Sequence, residues 1–290
     1  MAERASLWQR LRPQRGAMIG LWVLALLVVF VLLGPWLWRI APTHIDIRAR
    51  NQGLSWAHPL GTDQLGRDMM ARLMAGGRIS LAVAMAVMPI TLGLGGLVGL
   101  LAGYFRRLDG VLMRLTELFL ALPLLPLLLL MVTLFREPLA RHLGPPGGSF
   151  VLIVLAIGLT SWMAVARILR GEVLALKERG FIEAARAIGT RPGAMLWRHV
   201  LPNVASPVVV AATLGMATAI TTESALSFLG LGFPPDYPTL GRLLHDAMDQ
   251  MQQYPLRALL PGLMIAVTVL AVNAVGEGLR EALDPRSGSR

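Results

Sequence analysis

The side chains of this sequence that could do chemistry are few, and they stand far apart along the chain. The 290 residues include no cysteine and five histidines. The lack of cysteine excludes disulfides, thiolate metal sites and cysteine nucleophiles. No two histidines have a spacing typical of metal ligands, such as HxxxH, and the sequence carries neither a GxSxG motif nor paired carboxylates in an aqueous segment. We therefore predict no catalytic residue and no metal site.

The only lysine of the chain, Lys177, decides whether the chain can bind a nucleotide in a P-loop. A P-loop needs glycines followed by lysine and then serine or threonine, which together hold phosphates and magnesium. Lys177 is followed by Glu178, so the sequence has no P-loop. We predict no cofactor on this chain. If its function is driven by ATP, then ATP and Mg²⁺ must bind to another polypeptide.

Glu223 is the ionisable residue set deepest in an apolar stretch, because 23 uncharged residues precede it. An acid inside a membrane segment faces the interior of a helix bundle or an aqueous cavity by default. Two interpretations stay open. Glu223 could contact a solute or ion on a translocation path, for which Thr222 and Asn273 are further candidates, or it could form a structural hydrogen bond near the outer interface.

The polar segment HPLGTDQLGRD, from His58 to Asp68, could suggest a nickel site through His58 and Asp63. A structured loop is the better interpretation. Its proline and glycines favour turns, and its aspartates and arginine can form local hydrogen bonds.

The segment from Phe181 to Pro202 is polar and rich in arginine, and it lies between two long hydrophobic stretches. Its apolar residues recur at i, i+3, i+4 and i+7, which predicts a short helix with one apolar face. The residues of that face are Phe181, Ala184, Ala185 and Ile188. Gly189 should end the helix, and Pro192 suits the first turn of a second one. The pattern therefore predicts an elbow of two short helices that ends at Leu201 and Pro202.

The elements that carry these residues are membrane helices. Hydrophobic residues make up 55% of the chain and charged residues 15%, and the mean hydropathy is +0.61. Such values lie outside the range of soluble domains. A span needs about 20 apolar residues to cross about 30 Å of hydrocarbon. We predict an all-α integral membrane protein with one domain, residues 17–282, and six spans. Their approximate bounds are 17–38, 79–105, 115–135, 147–170, 203–228 and 257–281.

The distribution of positive charge predicts the orientation. The short segment 1–16, residues 104–114, the loop at residues 171–202 and the tail 283–290 fall on one side, and the long loop 39–78 falls on the other. Counted over residues 1–16, 104–114, 167–200 and those after 278, the first side holds 17 arginine and lysine residues, and the rest of the chain holds 10. The positive-inside rule then places both termini and the elbow in the cytoplasm. The net charge of +10 predicts that the protein is attracted to anionic lipid of the inner leaflet. No nucleic-acid partner is predicted.

A strip of glycines on the second predicted span favours close helix packing. Gly95, Gly99 and Gly103 recur every fourth residue. Small residues at that spacing let two helix backbones approach one another, and this role is more common than contact with a solute.

Three blocks of the sequence resemble a known family. Glu183, Ala184 and Ala185, followed by Gly189 and by Leu201 and Pro202, resemble the EAA loop of permease subunits of bacterial ABC importers. His58 to Asp68 and ESALSFLGLGFPP, from Glu223 to Pro235, resemble the peptide and nickel branch of that family. The resemblance implies a type I importer fold, with an elbow that docks in a groove of an ATPase. The resemblance implies that Ala184 and Ala185 let the helix enter the ATPase groove deeply and that Gly189 forms the turn. It also implies that Glu183 bonds where the elbow meets the ATPase.

The resemblance also implies an assembly in the bacterial inner membrane. A second, unlike permease subunit, two ABC ATPases and an extracytoplasmic solute-binding protein would be the partners, and this chain would itself be no enzyme. The expected function is import of dipeptides, oligopeptides or related solutes. Nickel chelates and glutathione remain alternative solutes. An ion-coupled secondary transporter that uses Glu223, and a membrane scaffold without transport activity, are alternatives of other classes.

Overall fold

A computed structural model describes residues 7–283, a range that folds into helices and contains no β-strand. The α-helices are α1 (Leu7–Leu11), α2 (Arg15–Leu37), α3 (Met69–Tyr104), α4 (Arg106–Ala121), α5 (Leu124–Lys177), α6 (Gly180–Ala187), α7 (Pro192–Met195), α8 (Leu201–Phe228), α9 (Leu240–Ala247) and α10 (Leu256–Leu283). A π-helical turn, Leu196–Val200, joins α7 to α8. The predicted all-α class is confirmed. The predicted tail 283–290 lies outside the described residues except for its first position.

Five helical stretches in the described range are long and apolar enough to cross a membrane. They are Arg15–Leu37, Met69–Tyr104, Leu124–Lys177, Pro192–Phe228 and Leu256–Leu283. The third, α5, has 54 residues, which as a straight helix would extend about 80 Å. It is not straight, because Gly144 has φ 75° and ψ 160°, a conformation outside the helical region. Helix α5 is therefore two helices joined at a bend.

The stretch 115–135, predicted as one span, is divided in the structure. Helix α4 ends at Ala121, and α5 begins at Leu124. Leu122 between them has an extended backbone, with φ −73° and ψ 133°. The residue before a proline is disfavoured in the helical region, and Pro123 follows Leu122. The hydrophobic pattern continues across this break, so hydropathy alone does not mark it.

Helix α3 packs closely against the second half of α5 along the glycine strip. A Cβ atom added at Gly95 would lie 2.7 Å from the Cβ of Val165, and one added at Gly103 would lie 2.7 Å from the Cβ of Val173. Gly99 meets the backbone of Ala166 in the same way. Any larger side chain at these three positions would force the two helices apart.

The interior of the bundle is built by α3, α5, α8 and α10. Buried apolar residues from all four helices form one cluster that includes Val83, Val87, Ile153, Ile157, Ile220 and Val272. Many large apolar side chains remain exposed, among them Leu26, Leu130 and Leu270. Apolar exposure on this scale suits helices that face lipid.

Helix α3 connects the two ends of the bundle that matter for function. It has 36 residues, or about 54 Å of helix. Its first turn is capped by Asp68, whose carboxylate accepts a hydrogen bond from the N–H of Ala71 at 2.7 Å. We call this the loop end, because residues 39–68 lie there. Tyr104, at its last turn, packs against residues 178–202, which we call the elbow.

Candidate functional site

The first helix of the elbow, α6, is held on the bundle by two apolar side chains. Ile182 has no exposed surface, and Ala185 is 6% exposed. Both belong to a buried cluster that also contains Met195 and Val200 from the second half of the elbow, with Tyr104 packed against it. Because residues three positions apart lie on the same side of a helix, Ile182 and Ala185 form one inward face.

The rest of the apolar surface of α6 points away from the bundle. Phe181 is 44% exposed and Ile188 is 84% exposed, and Ala184 is exposed as well. The spacing of apolar residues predicts Ala185 on the same face as these three residues. The structure corrects that expectation. Ile182, a larger hydrophobic residue, lies about 60° from Ala185 around the helix, so burying Ile182 also turns Ala185 inward.

Gly189 ends α6 with a left-handed turn. Its φ is 77°. The N–H of Thr190 donates to the carbonyl of Ala185 at 3.1 Å, and the N–H of Gly189 donates to that of Arg186 at 2.9 Å. These two bonds are those of a Schellman motif, in which the residue at this position is usually glycine. Pro192 then occupies the first turn of α7.

The second half of the elbow enters α8 through the π-helical turn. Pro202 has no N–H, so the carbonyl of Arg198, four residues earlier, lacks its usual helical donor. The N–H of Leu201 donates to the carbonyl of Leu196, five residues back. Leu201 packs against the buried cluster of the elbow, and Pro202 is exposed. The turn thus fixes the direction in which the elbow meets α8.

Two polar contacts that no local sequence pattern predicts join the helices at the elbow end of the bundle. The ammonium group of Lys177 donates to the carbonyls of Gly103 and Tyr104, both at 3.0 Å, at the last turn of α3. Arg170 donates to the carboxylate of Asp109 at 2.5 and 2.7 Å. Hydrogen bonding from Arg170 holds the pKa of the Asp109 carboxyl below its ordinary value. These contacts join α3, α4 and α5 at the end of the bundle against which α6 packs.

At the loop end, Glu223 has no exposed surface and lies inside a group of hydrogen-bonded side chains. Ser80 of α3 and Ser227 of α8 each donate to its carboxylate at 2.7 Å. The N–H of Leu240, at the start of α9, donates to the Ser80 hydroxyl at 3.5 Å. This geometry favours the interpretation of Glu223 as a structural hydrogen-bonding residue that joins three helices.

Thr222 and Asn273, the other candidates for a translocation path, are partly exposed. Within residues 7–283 neither side chain joins the hydrogen-bonded group around Glu223. Their place on a translocation path stays a prediction.

A network of buried ion pairs joins the loop to helices α3 and α9. Asp63 accepts from Arg67 at 2.6 Å and from Arg72 at 2.9 Å. Arg72, which is 1% exposed, also donates to Asp246 at 3.0 Å. Asp246 accepts a further bond from Arg242 at 2.9 Å. The segment that precedes α3 and the short helix α9 are therefore held against each other at the same end of the bundle.

The loop around this network has the turns that its sequence predicts. Gly61 and Gly66 both have φ 76°. The carboxylate of Asp68 contacts the Nδ1 atom of His58 at 2.8 Å and accepts from the indole N–H of Trp38 at 3.1 Å. His58 is thus engaged within its own loop. In the part of the chain that the structure describes, no three histidine, aspartate or glutamate side chains form a group that could hold a metal ion.

Comparison with protein families gives two matches that together cover most of the chain. Residues 95–289 match the family described as binding-protein-dependent transport system inner membrane component. Residues 4–53 match the N-terminal TM domain of oligopeptide transport permease C. The first match includes the elbow and Glu223, and the second ends inside the loop before α3.

Similar proteins are found along nearly the whole length of the chain. The oligopeptide transport system permease protein OppC of Haemophilus influenzae is 35% identical, over 98% of this chain and 90% of its own length. The protein of the same name from Bacillus subtilis is 34% identical, over 97% of this chain and 90% of its own length. A protein of Brucella suis whose name describes a peptide permease is 40% identical, over 96% of this chain and 89% of its own length.

Among solved structures, the chain is similar to one from the MetNI methionine ABC transporter in an inward-facing conformation. The TM-score is 0.59 at 20% identity, and the match covers 74% of this chain and 97% of that one. At this identity the likeness concerns the fold alone. It shows the fold of a type I ABC importer permease.

Proposed function

Because the chain belongs to the family of binding-protein-dependent transport system inner membrane components, we propose that it carries dipeptides, oligopeptides or related solutes into the bacterial cytoplasm. The solute class is proposed from relatives that are named for peptide or oligopeptide transport. The chain is a membrane permease of an ABC transporter and not itself an enzyme. Nickel chelates and glutathione are not favoured as solutes, since none of these relatives is named for them.

We propose that the chain forms half of the translocation path together with a second, unlike permease subunit. Two ABC ATPases would bind ATP and Mg²⁺, and an extracytoplasmic binding protein would deliver the solute. An ion-coupled carrier is not favoured. The family is one of binding-protein-dependent systems, and the carboxylate of Glu223 is enclosed by hydroxyl donors from its own chain.

The observation that carries the proposal is the two-sided surface of α6. Ile182 and Ala185 are buried against the bundle. Phe181, Ala184 and Ile188 are exposed at the elbow end of the bundle. An exposed apolar helix face of this kind is suited to a groove on a partner. Glu183, which is also exposed, would bond where α6 meets the ATPase. Movement of the docked ATPases would then reach α3 through Tyr104, which packs against the elbow cluster.

We further propose six membrane crossings in the bacterial inner membrane, with both termini and the elbow in the cytoplasm. The bend at Gly144 supports two crossings within the α4–α5 region. Asp109 and Arg170, on either side of the bend, meet at the elbow end. Arg136, which precedes the bend, donates to the carbonyl of Gly232 at 2.9 Å, just beyond the end of α8. The chain therefore travels from the elbow end to the loop end and back between Asp109 and Arg170.

The orientation can be tested with two single cysteines, since the native chain has none. Gln52 lies in the loop and Glu178 in the elbow, and both are exposed. In intact spheroplasts an impermeant maleimide should label the Gln52→Cys variant, and it should label the Glu178→Cys variant only after the membrane is opened. Labelling of Glu178→Cys from outside intact spheroplasts would overturn both the orientation and the docking of a cytoplasmic ATPase.

A further inference from the structure

Helix α4 carries different side chains on three sides. Successive residues of an α-helix are rotated by about 100°, so the residues of one side can be identified from their numbers. One side packs on the bundle through Thr116, which has no exposed surface, and through Asp109, which binds Arg170. The second side is exposed and apolar, with Leu108, Val111, Leu115 and Leu118. The third, which we call the polar side of α4, is also exposed and consists of Arg106, Arg107, Gly110, Arg114, Glu117 and Ala121.

The polar side of α4 reaches into the hydrocarbon layer of the membrane. Asp109 lies at the elbow end, and Arg136 lies at the loop end, where it donates to the carbonyl of Gly232. About 40 Å of helix separates Asp109 from Arg136, and the hydrocarbon layer is about 30 Å thick, which leaves about 5 Å at each end. Glu117 is about 12 Å along the helix from Asp109 and therefore lies within this layer. Ala121, about 18 Å from Asp109, lies close to its middle.

The charge of Glu117 is not paired within its own chain. Arg114 stands three positions earlier, a spacing that permits an ion pair on a helix. Within residues 7–283, however, Glu117 forms no ion pair, and the guanidinium group of Arg170 is bound to Asp109. A carboxylate at this depth is costly in lipid, and such residues face the interior of a bundle or a water-filled cavity. Because Glu117 is exposed on its own bundle, either water or a partner subunit must surround it.

The break between α4 and α5 directly follows Ala121 and leads to the same two possibilities. Leu122, Leu124 and Leu125 are all exposed. The first N–H groups of a helix lack partners within it, and in the described part of the chain those of Leu124 and Leu125 donate to no backbone carbonyl. Pro126 has no N–H to offer the carbonyl of Leu122. Non-helical backbone at membrane depth is tolerated only inside protein or beside a water-filled cavity.

We propose that the polar side of α4 lines the half of the translocation path nearer the elbow, and that Glu117 faces the solute there. This inference rests on the proposed function and adds a stretch of the path's wall. Water satisfies the carboxylate and the free backbone groups without further partners, whereas a protein interface would need a matched group for each of them. The carboxylate attracts the ammonium group at the N-terminus of a peptide. Gly110 and Ala121 leave room for the solute beside Glu117.

The test measures the reactivity of single cysteines, since the native chain has none. The complete transporter is held in nanodiscs, with partner subunits made free of cysteine, both without nucleotide and with a non-hydrolysable ATP analogue. Glu117→Cys and Ala121→Cys should react with a small hydrophilic methanethiosulfonate, which attacks only an ionised, hydrated thiol. The matched control is Leu115→Cys, on the apolar side about 160° around the helix from Glu117. It should react about tenfold more slowly.

Two results would overturn the inference. If Glu117→Cys and Ala121→Cys stay unreactive under both conditions, the second permease subunit covers the polar side of α4. If Leu115→Cys reacts as fast as Glu117→Cys, the polar side is no more hydrated than the apolar side. ATP-dependent uptake of a peptide by the wild type, measured in proteoliposomes, tests the proposed function separately. Its absence would refute the proposed function, whereas unreactive cysteines together with normal uptake would refute this inference alone.

A second measurement tests whether the carboxylate of Glu117 acts on a charged solute. In the Ala121→Cys variant, the reaction rate with a cationic reagent is divided by the rate with an anionic reagent of similar size. Adding Glu117→Gln should lower this ratio about threefold, because Ala121 lies one helical turn from Glu117. The control, Glu137→Gln, removes an exposed carboxylate near the loop end and should leave the ratio unchanged. An unchanged ratio with Glu117→Gln would show that Glu117 does not face the path.

Discussion

Replacing Gly189 by valine is expected to abolish uptake while the protein remains inserted in the membrane. Gly189 has φ 77°, and a Cβ atom added there would meet nothing within 4 Å. The effect would therefore come from the backbone and not from a clash. A residue other than glycine in this left-handed region costs about 1 to 2 kcal/mol, and a β-branched side chain resists it further. Relief of that strain would open the turn and misdirect α7, so that the elbow no longer matches its groove.

The matched control is Gly189→Asn, because asparagine adopts the left-handed conformation more readily than other residues. We expect this variant to keep most of the uptake of the wild type. Both variants are measured in proteoliposomes that contain every subunit, at equal amounts of inserted permease. Uptake by Gly189→Val at the rate of the wild type would show that a two-helix elbow with a fixed turn is the wrong description of coupling.

Removing the carboxylate of Asp63 is expected to destabilise the loop end severely. Asp63 is 5% exposed and accepts hydrogen bonds from the side chains of Arg67 and Arg72, both of them buried. Its other oxygen accepts from the backbone N–H groups of Leu65 and Arg67 at 2.8 and 2.9 Å. Loss of Asp63 leaves the buried Arg67 and Arg72 with Asp246 as their one remaining counter-ion in the network. Breaking a buried ion pair by removing one partner costs about 3 to 5 kcal/mol. The melting temperature of the purified subunit in nanodiscs should fall by on the order of 10 °C in Asp63→Ala.

The control for Asp63→Ala is a variant that breaks an arginine–carboxylate ion pair in an exposed position. Arg141 and Glu137 stand four residues apart at 3.3 Å, and their side chains are 78% and 81% exposed. Glu137→Ala should leave the melting temperature unchanged, since exposed pairs contribute little. Asp63→Asn keeps an oxygen that can accept from the backbone N–H groups. Its melting temperature should lie between those of Asp63→Ala and Glu137→Ala. Equal melting temperatures for Asp63→Ala and Glu137→Ala would contradict the assignment of the network as a structural joint.

The features that the sequence predicted correctly are those that depend on neighbouring residues. The end of α6 at Gly189 follows from a glycine three residues before Pro192. The turns of the loop at Gly61 and Gly66 follow from glycines flanked by polar residues. A helical periodicity, however, cannot say which of two apolar sides is buried. The inward position of Ala185 was missed for that reason.

The features that the sequence did not reveal depend on residues far apart in the chain. Arg72 and Asp246 are separated by 174 positions, and Ser80 and Glu223 by 143. No local pattern brings such residues together, because their contact is decided by how whole helices pack. The isolated position of Glu223 in an apolar stretch therefore marked an important residue, but it could not distinguish a solute contact from a structural bond.

The central claim is that this permease takes its energy from ATPases docked at the elbow. The most direct measurement is uptake of a dipeptide or oligopeptide by proteoliposomes that contain all subunits and the binding protein, with ATP held constant and an uncoupler added. An ion-coupled carrier must load and release its ion at a carboxylate, and Glu223 is the acid it would use. We predict that uptake by the wild type requires ATP and persists when the proton gradient is collapsed, and that Glu223→Gln retains ATP-dependent uptake. Loss of uptake by the wild type on adding the uncoupler, at constant ATP, would contradict the account.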